Sequence, residues 1–117
     1  MSAAENIQWQ TVCDAKALSP SIGVRALLGG EQVAIFKVQG TCYAISAIDP
    51  FTQAAVLARG IVGDVAGKVV VASPIYKQHF VLGTGECIED ENVRVATYPV
   101  REVNGQIELG LREQAVA

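Results

Sequence analysis

A chain of 117 residues suffices for one domain and little more, and a domain of this size buries roughly 60–70% of its unfolded surface without needing staples. Half of its residues are hydrophobic, which argues against disorder. The net charge is −3 with no basic cluster, and no stretch approaches the roughly 18 apolar residues of a membrane span, so neither nucleic acid nor a membrane is an expected partner.

The opening MSAAENIQWQ has no basic or apolar leader region, and Glu5 interrupts it, so no secretory signal is expected. Residues 1–6 are read as a loose end. Residues 7–13, IQWQTVC, alternate as a half-buried strand with Trp9 as its apolar anchor. A connection with one helical turn over residues 15–18 follows. Residues 21–28 and 31–38 read as strands joined by the hairpin signal Gly29-Gly30. Gln39-Gly40 turns the chain into a third strand, residues 41–48. Val33-Ala34-Ile35-Phe36 is apolar on both faces, so this strand is expected inside a sandwich or barrel.

Asp49-Pro50-Phe51 breaks the pattern and opens a long connection, with a short helix or irregular loop at residues 54–58. Another strand starts at Ile61-Val62, and Gly63-Asp64 and Ala66-Gly67 suggest turns. Residues 68–72 form a β-branched run that Ser73-Pro74 ends, because proline donates no ladder hydrogen bond. His79 to Leu82 resumes an extended pattern before the turn Gly83-Thr84-Gly85. Residues 89–92 are an acidic surface loop. Residues 93–103 and 106–111 are expected to pair across Asn104-Gly105, with a frayed tail over residues 112–117. Regularly spaced short strands in a glycine-rich, charge-poor chain predict an all-β fold: a sandwich or partly closed barrel bearing two long loops. Long loops on a rigid β scaffold are where function tends to sit.

Catalytic and metal signals are weak. Cys13, Cys42, Cys87 and His79 include no pair within four residues, whereas structural zinc takes closely spaced ligands. The odd cysteine count, without an export signal, predicts free thiols in a cytoplasmic protein. His79, the single histidine, stands without a nucleophile motif and is read as making local hydrogen bonds. Gly83-x-Gly85 lacks the third glycine of a phosphate loop.

The frame S-P-x-Y-x-x-x-F from Ser73 to Phe80, with Asp49-Pro50-Phe51 before it, resembles the two cluster loops of the Rieske superfamily, C-P-H and C-P-x-H. The similarity extends through Trp9, the run GEQVAIFKVQGTCYAIS, Thr84-Gly85 and the closing YPVREVNGQIEL. It implies a single Rieske-like domain over residues 1–117, with a core of about 7–111 and a loop-bearing subdomain of about 49–85. The cluster ligands are absent. Asp49 and Ser73 stand in the cysteine positions, and Phe51 and Tyr76 in the histidine positions. A Rieske cluster needs two thiolates and two imidazoles, so no metal and no cofactor is expected in this chain.

The blocks IDPFTQAAVLARG and SPIYKQHF resemble the small subunit of the cytoplasmic NAD(P)H-dependent nitrite reductases of nitrate assimilation. The resemblance implies an accessory subunit of an oxidoreductase, with no catalytic residue of its own. Its large subunit would carry FAD, siroheme and an iron–sulfur cluster and reduce nitrite to ammonium. Aromatic and proline contacts among Pro50, Phe51, Pro74 and Tyr76 are expected to fill the vacated cluster space. With Lys77, Gln78 and His79 beside them, these residues form the candidate partner interface. Two other readings stand open at this point: a stand-alone ligand-binding β domain, and a Rieske-type electron-transfer protein with unfamiliar ligands.

Overall fold

The computed structural model describes residues 7–112. The loose start expected over residues 1–6 lies outside them, as does the tail beyond residue 112, which itself ends a strand. The architecture is almost entirely β. In chain order the strands are β1 (Ile7–Asp14), β2 (Val24–Leu28), β3 (Glu31–Val38), β4 (Thr41–Ser46), β5 (Ile61–Val65), β6 (Lys68–Ala72), β7 (His79–Val81), β8 (Val100–Val103) and β9 (Gln106–Arg112). Two 3₁₀ turns, Ala15–Ala17 and Leu57–Arg59, are the helical elements among the described residues.

The strands form three antiparallel sheets of three, ordered β1-β9-β8, β2-β3-β4 and β5-β6-β7. Strand alternation makes the second sheet the middle layer. Val33 and Ile35 of β3 point one way, into a core with Leu28, Ala44, Ile107 and Leu109. Ala34 and Phe36 point the other way, into a core with Ile45, Leu57, Val71, Phe80 and Cys87. All four β3 residues are fully buried, which is why their run shows no polar face.

Short turns set the registers. Gly29-Gly30, Gln39-Gly40, Ala66-Gly67 and Asn104-Gly105 all have positive φ at both residues, the geometry that matches strand twist in two-residue hairpins. Gly63-Asp64 is not a turn. Both residues lie in β5, and the Asp64 carboxylate accepts the Gly67 N–H at 3.0 Å, so it serves the turn that follows. The strand expected over residues 21–28 begins only at Val24. Ser21 adopts a φ of 62° and donates its N–H to Lys37 O at 2.9 Å. The strands expected over residues 41–48 and 79–82 stop at Ser46 and Val81.

The strand expected over residues 93–103 is regular only at β8. Before it the chain crosses between layers, making single bridges from Arg94 to Glu86 and from Thr97 to Ile45, and Pro99 offers no N–H to a ladder. In β1 the register shifts between Thr11 and Cys13, so strict alternation fails there and both Val12 and Cys13 reach the core. Trp9 lies outside both cores. Its ring carries the Arg101 guanidinium 3.9 Å from its centroid.

Candidate functional site: a latched pair of loops

The two expected loops leave the same end of the molecule, one between β4 and β5, the other between β6 and β7. Each is built to one plan. Asp49 Oδ1 accepts the Phe51 N–H at 2.8 Å, and Ser73 Oγ accepts the Ile75 N–H at 3.3 Å, the side-chain turns that such residues favour. Asp49 O accepts the Gln53 N–H at 2.7 Å, and Ser73 O accepts the Lys77 N–H at 3.0 Å. Gln53 and Lys77 both take the left-handed conformation, with φ of 63° and 65°. Pro50 and Pro74 follow the anchoring residue in each loop, where a fixed φ suits the turn.

The anchors meet. Ser73 Oγ donates to Asp49 Oδ2 at 2.5 Å, and both residues are buried. This hydrogen bond across 24 positions ties one loop to the other. Asp and Ser in turns ordinarily bond their own backbone, as both do here; the bond between them is additional. The aligned Asp-Pro and Ser-Pro frames are the signal that could have shown it.

The structure does not bring Phe51 and Tyr76 together. Phe51 tilts against Phe80, with ring centroids 6.3 Å apart, so its aromatic neighbour is a core ring. Tyr76 is 62% exposed, and Ile75, Pro74 and Lys77 are exposed with it. Pro50, Gln78 and His79 are half-buried. Gln78 Oε1 is a buried acceptor without a partner among the described residues.

His79 makes the local hydrogen bonds expected of it. Its Nδ1 donates to Glu89 Oε2 at 2.5 Å and its N–H to Glu89 Oε1 at 2.7 Å. Glu89 belongs to the acidic loop that the sequence shows only as surface. Burial opposes its charge, but the hydrogen bonds from the His79 backbone and ring prevail and hold the carboxyl below the usual value near 4.5. A depressed carboxyl stabilises the fold above its usual value, and the effect is lost as pH falls through the folded one. Glu89→Gln should therefore cost roughly 0.2–1 kcal/mol near neutrality, the range of a solvent-screened pair. Denaturant melts of the two proteins should converge in acid.

The three thiols are free. Burial, first among several causes, pushes each above its usual value, so none is an activated nucleophile. Among the described residues no group of three or more histidine, cysteine or acidic side chains is arranged to hold a metal ion. The four positions that match Rieske ligands do not fit an iron–sulfur cluster. Asp49 and Ser73 are bound to each other, the Phe51 ring has no donor atom, and Tyr76 offers a hard phenol oxygen on an exposed side chain.

The sequence matches the Rieske-like [2Fe-2S] domain family over residues 8–110. It is similar to the nitrite reductase (NADH) small subunit of Salmonella typhimurium strain LT2, 46% identical over 104 residues that make up 87% of this chain and 96% of that one. It is similar in structure to the Escherichia coli protein NirD, with a TM-score of 0.83 at 43% identity, over 90% of this chain and 97% of the other. It is also 36% identical over 102 residues to the NAD(P)H nitrite reductase large subunit of Klebsiella oxytoca, covering 87% of this chain but 11% of that one. No helix among the described residues is long and apolar enough to cross a membrane.

Proposed function

The chain belongs to the Rieske-like [2Fe-2S] domain family and, within it, to the nitrite reductase (NADH) small subunits, and from that premise we propose that it is the accessory subunit of a cytoplasmic NAD(P)H-dependent nitrite reductase, docked on a cofactor-bearing large subunit and holding no cluster itself. The match over nearly the whole length of the Salmonella small subunit carries this reading. The Klebsiella relative supports the partner: there a stretch of this kind is part of a chain named as a large subunit. The large subunit would hold the FAD, siroheme and iron–sulfur cluster that carry electrons from NAD(P)H to nitrite.

The latch supports the absence of a cluster. Thiolates would be needed where a carboxylate and a hydroxyl already satisfy each other, and imidazoles where Phe51 and Tyr76 stand. An electron-transfer role for this chain alone therefore finds no support in its donors. Residues 49–85 act as a loop-bearing unit on a core spanning 7–111, within a single domain over residues 1–117. Its loop pair, Pro50, Phe51, Pro74, Tyr76, Lys77, Gln78 and His79, faces the large subunit.

Co-expression with the large subunit tests both parts. The untagged small subunit should co-purify with tagged large subunit. Purified alone, it should be colourless, with iron far below stoichiometric. Failure to co-purify would remove the accessory role; stoichiometric iron with a visible charge-transfer spectrum would remove the cluster-free reading.

A further inference from the structure

Directly paired residues of an antiparallel ladder share a face. Ile61 pairs with Ala72, and Ala72 pairs with His79. The Phe80–Cys87 bridge then places Ile88 opposite His79, whose carbonyl accepts the Ile88 N–H at 2.8 Å. The adjacent row, Val62, Val71, Phe80 and Cys87, packs on the core. The row Ile61–Ala72–His79–Ile88 therefore faces outward. Ile61 is 74% exposed and Ile88 41% exposed, and the two residues between them are half-buried. Ser73 follows Ala72 and Gln78 precedes His79, so the row runs into the second loop, where Ile75 and Tyr76 stand exposed.

We propose that this row, continued by Ile75 and Tyr76, is the face on which the large subunit of the nitrite reductase sits. The proposal rests on the accessory-subunit reading and extends the loop-pair contact onto the loop-end row of the third sheet only, since Val70 and Val81, two positions further along on the same side, are buried. Nine large apolar side chains are exposed among the described residues: Ile61 and Ile88 lie in this row, Ile75 and Tyr76 in the loop that continues it and Phe51 in the first loop, whereas Ile22, Leu27, Val103 and Leu111 belong to other parts of the molecule. An apolar centre edged by polar groups is the anatomy of a protein interface. Here Glu89, which binds His79 within the row, and Lys77 are those polar groups. The face is preorganised, since sheet ladders fix the row and the Asp49–Ser73 hydrogen bond fixes the loop, so little ordering opposes docking. The occupant follows from the Klebsiella chain, in which the rest of a large subunit accompanies this stretch.

The test titrates tagged, cofactor-loaded large subunit with the full-length small subunit and three variants, each checked for folding by circular dichroism and thermal melting. Ile61→Asp/Ile88→Asp and Tyr76→Ala should each weaken binding by at least about tenfold, as loss of central anchors does. Leu27→Asp, 64% exposed on the second sheet, should stay within about twofold of the parent. Tyr76→Ala changes only an exposed loop side chain, so it gives a reading even if the double variant does not fold. Folded variants that bind like the parent would overturn the proposal, as would a Leu27→Asp variant that loses binding in their place. Self-association of the parent through the row would overturn it by making a second copy the occupant. A parent chain that does not bind the large subunit at all would instead refute the accessory reading beneath it.

Discussion

Replacing Asp49 by alanine should lower stability by about 2–5 kcal/mol, because two buried or half-buried donors, the Ser73 hydroxyl and the Phe51 N–H, lose their acceptor at once. For a chain of this length that is a fall in Tm on the order of 10 °C. Ser73→Ala should cost less, about 1.5–3 kcal/mol, since it strands one carboxylate oxygen and, besides it, only the Ile75 N–H, whose bond is long at 3.3 Å. Because the two residues share one hydrogen bond, the double variant should be less destabilised than the sum of the single ones. Asp49→Asn provides the informative contrast. Its amide oxygen can keep the Phe51 N–H and its amide nitrogen can donate to a rotated Ser73 hydroxyl, so much of the loss should be recovered. Urea melts of the four variants and the parent give the ΔΔG values. Additive losses, or an Asp49→Ala variant as stable as the parent, would show that the loops do not depend on this latch.

A second large effect is expected at Gly85. Its φ is +83°, and a Cβ there would lie 2.1 Å from Val95 O, a backbone atom with little freedom to retreat. The same turn is tied down from both sides. The Gly85 N–H donates to Val81 O at 2.7 Å, and Gly85 O accepts the Val95 N–H at 2.8 Å. Gly85→Ala combines a left-handed penalty of about 1–2 kcal/mol with an overpacking cost of about 1–3 kcal/mol. A loss of roughly 3 kcal/mol or more should appear in the same melts. Gly105→Ala shares the positive φ but meets nothing within 4 Å, and it should show the conformational part alone. Equal losses at the two positions would refute the steric account.

Hairpin chemistry made most of the fold legible. Gly29-Gly30, Ala66-Gly67 and Asn104-Gly105 each declare a turn through a glycine that tolerates positive φ, and the strands between them follow. The Val33–Phe36 run likewise announced a strand covered on both sides. Composition misled at Gly63-Asp64, where the aspartate caps a neighbouring turn instead of making its own. It misled again over residues 93–99, where β-type residues serve a crossing between layers and not a ladder. The loop pair was legible as a position and not as an arrangement. Which side chains touch depends on contacts between segments apart in sequence: the matching Asp-Pro and Ser-Pro frames hint at Asp49 with Ser73, but no local pattern encodes Phe51 with Phe80 or His79 with Glu89. The outward row on the third sheet was equally hidden, because Ile61 and Ile88 acquire a common face only through the registers of β5, β6 and β7.

The pairing of Ile7 with Arg112 fixes where this domain can be attached to anything else. Entry and exit lie on neighbouring strands, about one ladder spacing of ~5 Å apart. A host protein could thus carry the whole unit on a single short stalk, spliced into a surface loop or appended at either end, without disturbing a strand. That stalk would emerge from the first sheet, which packs on the opposite side of the middle layer from the third. Covalent attachment would thus keep the stalk clear of the Ile61–Ile88 row. The Salmonella relative is a separate chain and the Klebsiella relative a fraction of a much longer one, and this geometry lets one fold serve both arrangements.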